Sequence, residues 1–289
     1  MGHNPGTMTA GLLTKIYQIV IETFFPTRCL VCDDFFQLPQ CTFGSIAGQS
    51  ALKKSALQVV GPTLTARPLS ACLCPRCIQG LIAVESPLCA CCGLPFKSRQ
   101  GEDHRCGDCI VSPKKFRLAR ASLVYEKNAT EVIHCFKYKA KIQLAESLSE
   151  LLLTTFRLFW EKDSVDVIVP VPLHPKRLRQ RGFNQSYLLV RYWKMLAAST
   201  SLDPCNFEIE RDVLVRKRPT APQTALGRER RAANIKNAFD IRGREIIKNK
   251  RVLLVDDVYT TGATVNECAR LLLKYGAEHV DVLTLARAV

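Results

Sequence analysis

The chain has 289 residues, 47% hydrophobic and 23% charged, with 41 Lys and Arg against 26 Asp and Glu for a formal charge of +15. That length supports one full core beside a smaller module, and the aliphatic content excludes a disordered chain. No stretch reaches the roughly 18 uncharged apolar residues of a membrane-spanning helix. No internal period of roughly 20–50 residues repeats, which excludes a solenoid. The charge surplus points to polyanionic partners, either nucleic acid or phosphorylated small molecules.

Residues 1–10 read as a lead-in. Leu12, Leu13, Ile16, Ile19, Val20 and Phe24 then recur at three- and four-residue spacing, one face of an amphipathic helix that ends before Pro26. A signal peptide fits poorly, because no Lys or Arg precedes Lys15, and Lys15 and Glu22 interrupt the apolar run. A cytoplasmic location is therefore expected. In such a reducing compartment, paired cysteines mean metal more often than disulfide.

Eight of the 14 cysteines form four Cys-x-x-Cys pairs: Cys29/Cys32, Cys74/Cys77, Cys89/Cys92 and Cys106/Cys109. Two intervening residues let a tight turn aim both thiolates at one ion. Two such knuckles complete a tetrahedral sulfur shell at about 2.3 Å per bond, which suits zinc. The third and fourth pairs are 13 residues apart, a ribbon-like spacing, whereas 41 residues separate the first and second. Cys72, Cys91 and His104 lie near enough to serve as alternative ligands. Four thiolates leave no place for a reactive water, so a structural role is expected over hydrolysis, with a redox dithiol as the lesser alternative. Cys41, Cys135, Cys205 and Cys268 have no partner in motif and read as small buried hydrophobes. Residues 28–112 thus form a double zinc ribbon, interrupted at 42–71 by a small, polar, Gly- and Pro-punctuated surface insertion.

From residue 113 the pattern changes to strands alternating with helices. Apolar runs at Ala119–Tyr125, Val165–Val171, Arg251–Val255 and Val280–Leu285 read as strands. Thr130–Phe136, Gln143–Trp160, Tyr187–Ala198 and Val265–Tyr275 read as helices. Buried Val/Ile/Leu strands alternating with helices make an α/β domain, a parallel sheet covered on both faces. Ligands of such sheets bind beyond the carboxyl ends of the strands.

One of those ends carries Asp256 and Asp257, then Val258, Tyr259, Thr260, Thr261, Gly262, Ala263 and Thr264, and opens into a helix. Backbone N–H groups of such a turn, with the helix N-terminus behind them, form an anion cradle, to which Thr260, Thr261 and Thr264 add hydroxyls. Two adjacent carboxylates suit ribose hydroxyls or Mg2+. The Gly-Lys-Ser/Thr ending of a Walker A loop is missing.

Residues Val252–Thr264 resemble, position for position, the phosphoribosyl-pyrophosphate loop of type I phosphoribosyltransferases. Further stretches are similar to the ComF family of competence-associated, phosphoribosyltransferase-like proteins with an N-terminal zinc ribbon. These are the cysteine module, Phe136–Lys139, Pro170–Pro175, Arg181–Gln185 and the Gln223–Phe239 run. The resemblance implies that Asp256 and Asp257 bind the ribose hydroxyls as the catalytic carboxylates, that the Thr260–Thr264 turn holds the 5′-phosphate, and that Tyr259 belongs to the same phosphoribosyl-pyrophosphate-binding set. It implies that Lys176, Arg177, Arg179 and Arg181 face pyrophosphate with Mg2+, while residues 216–237 form a hood. It also implies single-stranded DNA and a DNA-uptake helicase as partners. Residues 170–250 hold 18 Lys and Arg against 7 Asp and Glu. Arg216, Arg228, Arg230 and Arg231 are the candidates for DNA contact, against the alternative of a solvated basic face. No catalytic triad is evident, and His174, between Leu173 and Pro175, reads as structural rather than as a general base. Two functions stay open: a binding protein in DNA uptake, and an active transferase moving a phosphoribosyl group to a nitrogen acceptor.

Overall fold

The structure, a computed structural model, describes residues 26–38, 69–98, 100–199, 206–219 and 233–289. The expected N-terminal helix, most of the 42–71 insertion, and Cys41 and Cys205 lie outside the described residues. The end of the insertion belongs to the body, because Leu69 is buried in a 3-10 turn.

A short antiparallel ribbon, β1 (Thr27–Arg28) and β2 (Phe35–Phe36), holds the first knuckle at its turn. The second and fourth knuckles each open a five-residue helix, α1 (Pro75–Gln79) and α2 (Gly107–Val111). Cys74 and Cys106 sit at the caps, with Cys77 and Cys109 inside. There follow β3 (Ala119–Val124), α3 (Lys127–Tyr138), α4 (Leu144–Phe159) and β4 (Val167–Pro170). The chain continues through α5 (Pro175–Arg181), α6 (Gln185–Leu188), α7 (Trp193–Ser199), β5 (Glu208–Ile209), β6 (Leu214–Arg216) and β7 (Phe239–Ile241). It closes with α8 (Arg244–Ile247), β8 (Arg251–Tyr259), α9 (Ala263–Lys274) and β9 (His279–Arg287).

Five strands form one parallel sheet in the order β3-β9-β8-β4-β5, while β6 and β7 pair antiparallel apart from it. Strand alternation sends Val252, Leu254, Val280 and Val282 into one apolar cluster and Leu253, Val255, Leu283 and Leu285 into the other. Helix α4 covers the second of these faces with Leu148, Leu151 and Leu152, and α9 covers the first with Val265, Ala269 and Leu272. The two cysteine groups join opposite clusters: Cys29, Cys74 and Cys77 the α4 side, and Cys89, Cys92, Cys106 and Cys109 the α9 side. Each fully buried aliphatic side chain contributes about 1.5–3 kcal/mol, so the central strands anchor the site at their carboxyl ends.

One buried charge is built into this core. Asp281 of β9, 1% exposed, accepts from Arg117 Nε at 3.0 Å and Nη2 at 2.6 Å, and from Trp160 Nε1 at 2.7 Å. Both of its oxygens are thereby satisfied, as a buried carboxylate requires.

The expected 187–198 helix is broken, with α6 ending at Leu188 and α7 beginning at Trp193. Its apolar periodicity is real, since Leu189, Val190 and Trp193 are all buried, but a turn redirects the chain between them. Helix α5 and strands β5, β6 and β7 carry too little periodicity to be read from sequence.

Candidate functional site

Strand β8 runs beyond the expected Val255 to Tyr259, because β9 continues opposite it: Asp256 pairs with Thr284, Val258 with Ala286 and Tyr259 with Arg287. The two carboxylates therefore stand on regular strand rather than on a loop. They line a cavity of about 720 Å³, together with Tyr259, Thr260, Gly262, Ala263 and Thr264.

Asp256 Oδ1 accepts from Ser186 Oγ at 3.0 Å and from the Asp257 amide at 2.9 Å. Loss of water, with Asp257 close by, pushes Asp256 up to about 7. Asp257, 5% exposed, pairs through Oδ1 with Lys137 Nζ at 2.8 Å. Burial opposes the Lys137 charge, but the Asp257 carboxylate outweighs it and raises the ammonium above its ordinary value. Asp257 Oδ2 is buried and has no hydrogen-bond partner among the described residues. A buried acceptor left open costs about 1–3 kcal/mol, so the pocket floor is built for a donor or a cation.

Gly262 is left-handed at φ +76° and sits at the N-cap of α9, where it has no side chain to offer a capping bond. A Cβ on Gly262 would lie 2.2 Å from Tyr259 Oη, so only glycine fits over that ring. Thr261 does not line the cavity; its Oγ1 accepts from the Ala263 amide at 3.4 Å and shapes the turn.

Of the four cations in α5, Arg177 and Arg181 line the cavity, whereas Lys176 and Arg179 do not. Positions four apart share a helix face, and 176 and 179 fall on the other side. Arg181 is held by Gln185 Oε1 at 2.6 Å and lies 4.9 Å over the Tyr138 ring. His174 caps α5, its Nδ1 accepting from the Lys176 amide at 3.2 Å, so its place is structural. The Arg181–Gln185 run is a connected device. Gly182 ends α5 at φ +84°, Asn184 caps α6 through the Ser186 amide, and Ser186 then reaches Asp256.

Arg216 is not on an exposed hood. It is 8% exposed, lies 5.3 Å over Phe239 and lines the cavity. Burial, with Arg177 beside it, lowers Arg216 from its ordinary value, yet a guanidinium stays charged. Arg228, Arg230 and Arg231 lie outside the described residues.

The sulfurs of Cys29, Cys32, Cys74 and Cys77 gather in one group, and those of Cys89, Cys92, Cys106 and Cys109 in another, each within 4.8 Å. Cys32–Cys74 at 3.6 Å and Cys92–Cys106 at 3.7 Å match the ~3.8 Å sulfur separation of a tetrahedral zinc shell. Burial works against a thiolate at Cys89, but amides of Cys106 and Cys92 donate to its sulfur at 3.3 and 3.4 Å and hold it near 6. Both groups can therefore hold zinc. The alternative ligands drop out: Cys72 faces Gln143 and Ser147, Cys91 lies outside the group, and His104 stacks on Phe96 at 4.0 Å.

Sequence reasoning missed the roles of Lys137, Ser186 and Gln185. Their motifs were visible as short runs, but nothing in the chain order says that they converge on Asp256 and Asp257.

Residues 205–288 match the phosphoribosyl transferase domain family. The chain is 34% identical over 221 residues to the DNA utilization protein YhgH of Escherichia coli K12, covering 75% of this chain and 91% of that protein. It is 30% identical to competence protein F of Haemophilus influenzae, covering 74% and 96%. It is 27% identical to competence protein ComFC of Bacillus subtilis, covering 75% and 84%. No helix among the described residues is long and apolar enough to cross a membrane. With the parallel sheet, the acidic strand end and the paired cysteine groups all in place, the chain belongs to the ComF family of phosphoribosyltransferase-like proteins.

Proposed function

We propose that the chain binds phosphoribosyl pyrophosphate with Mg2+ in this cavity and uses the occupied pocket in DNA uptake and utilization. One observation carries the pocket reading. Asp256, Asp257, the glycine-capped start of α9 and two arginines of α5 face one space. In this reading the paired carboxylates accept the ribose hydroxyls, the amides of residues 260–264 hold the 5′-phosphate, and Arg177 and Arg181 hold pyrophosphate. Mg2+ would supply positive charge to offset the pyrophosphate, and the open Asp257 Oδ2 would suit a hydroxyl or an ion-bound water. Lys137 holds Asp257 in place through their ion pair. Zinc in the two cysteine groups contributes folding energy to a module with little core of its own.

The DNA role rests on the names of the relatives and on the basic surplus of residues 170–250, with Arg228, Arg230 and Arg231 as its contacts and a helicase as the expected partner. A second reading, turnover onto a nitrogen acceptor, is favoured by the space left in the cavity beside Tyr125, His134 and Tyr138.

The thermal midpoint of the zinc-loaded chain tests the pocket. Ligand at a hundredfold excess over Kd stabilises the native state by about 2.7 kcal/mol. Phosphoribosyl pyrophosphate with Mg2+ is expected to raise the midpoint more than ribose 5-phosphate or pyrophosphate alone. Equal shifts from all three would leave only an anion site.

A further inference from the structure

Resting on the phosphoribosyl reading of the pocket, we infer that Arg287 is a positioning residue of the phosphate-holding turn, and that the second cysteine group sets the turn through it. Arg287 ends β9 directly opposite Tyr259 and is 8% exposed. Its guanidinium lies 4.2 Å over the Tyr259 ring. Toward the turn, Nη1 donates to Thr260 O at 3.0 Å and Tyr259 O at 3.4 Å, and also to Ala288 O. Toward the cysteines, Nε donates to Cys92 O at 3.3 Å and Nη2 to Cys92 Sγ at 3.8 Å. One buried cation thus bonds a metal-site residue and the two peptide groups that begin the turn.

Planar peptides make this coupling directional. In a trans peptide the N–H points opposite the carbonyl of the same unit. Holding the carbonyls of Tyr259 and Thr260 on the guanidinium therefore fixes where the N–H groups of Thr260 and Thr261 point. The Tyr259 ring is wedged as well: its hydroxyl sits beneath Gly262, and Phe116 meets it edge-on at 6.2 Å.

The cysteine side is equally fixed. The Ala119 amide donates to Cys91 O at 2.7 Å, and Gly93, at φ +64°, packs so close to Ala119 O that a Cβ would lie 2.5 Å away. Four thiolates around a divalent ion carry a net double negative charge, which favours a buried cation donating to one of the sulfurs. Loss of the ion frees the Cys92 knuckle to move, and with it the carbonyl and sulfur on which Arg287 is anchored. The first cysteine group is the natural control, since it belongs to the apolar cluster on the opposite face of the sheet.

The test uses the full chain with zinc content measured. Amide hydrogen exchange at residues 259–264 and the Kd for ribose 5-phosphate are compared among wild type, Arg287→Gln, Cys109→Ser and Cys77→Ser. Arg287→Gln and Cys109→Ser should each speed exchange in the turn and weaken ribose 5-phosphate by about tenfold, the scale at which partners of metal ligands act. Cys77→Ser should do neither. Should a variant fail to fold, stepwise chelation of the wild type supplies the comparison: turn exchange should rise with loss of the second ion and not with the first. Arg287→Gln with unchanged turn exchange, or equal loosening on loss of either ion, overturns the inference. If the wild type binds no ribose 5-phosphate, the phosphoribosyl reading fails, and turn exchange alone still decides the coupling.

Discussion

Asp256 is the residue whose chemistry depends most on its surroundings. With its carboxyl raised to about 7 by desolvation and by Asp257, it holds a proton in the native state that it gives up when the chain unfolds. Its contribution to stability is therefore present at low pH and is lost as pH rises toward 7. Ligand binding runs the other way, because the ionised form is the better acceptor for a ribose hydroxyl. The affinity for ribose 5-phosphate should rise between pH 6 and 8 in wild type by more than in Asp256→Asn. That variant keeps only the titration of the phosphate itself, near pH 6. Parallel profiles would remove Asp256 from the binding machinery. At Asp281 the expectation concerns stability alone. Asp281→Ala leaves the buried Trp160 N–H without its acceptor while the half-exposed Arg117 turns to water, and chemical denaturation should show a loss of about 1–3 kcal/mol.

Among the elements, α5 makes the sharpest claim. Its cations are not equivalent, because helical spacing turns only Arg177 and Arg181 to the cavity. The pair Arg177→Gln/Arg181→Gln should weaken pyrophosphate binding at least tenfold, while Lys176→Gln/Arg179→Gln changes it less than twofold once ionic strength is matched. A titration in which both pairs lose affinity equally would mean general attraction to a basic face. Strand ends show a second lesson. The buried runs of β8 and β9 are legible as Val/Ile/Leu, but β8 continues past Val255, pairing at Asp256, Val258 and Tyr259, only because β9 extends beside it. Period and composition therefore locate the strands and not their ends. The single periodic stretch at 187–198 became two helices for a related reason, since apolar spacing records burial and not chain continuity.

Across the whole molecule, what was readable in the sequence was whatever lies close together in the chain. The cysteine pairs, the Asp256–Thr264 turn and the parallel sheet each depend on spacing within a few residues or on simple alternation. Lys137, Ser186 and Arg287 were not readable as site residues, and Arg216 was read as a DNA contact rather than as part of the cavity, because separate elements far apart in the chain deliver them and only the fold brings those elements together. The same topology places the two cysteine groups in opposite apolar clusters, so removing zinc should not act as one event. Chelation followed by zinc counting and near-ultraviolet circular dichroism should resolve two steps, whereas a single concerted loss would show that the two groups unfold together.

The most direct test is a calorimetric titration of phosphoribosyl pyrophosphate with Mg2+ into the zinc-loaded chain, with Asp256→Asn/Asp257→Asn as the comparison. Saturable one-to-one binding in wild type that is lost in the double variant, with folding and zinc content retained, is the result predicted here. Absence of binding in wild type, or equal binding in both chains, would contradict it and leave the transferase fold without its ligand.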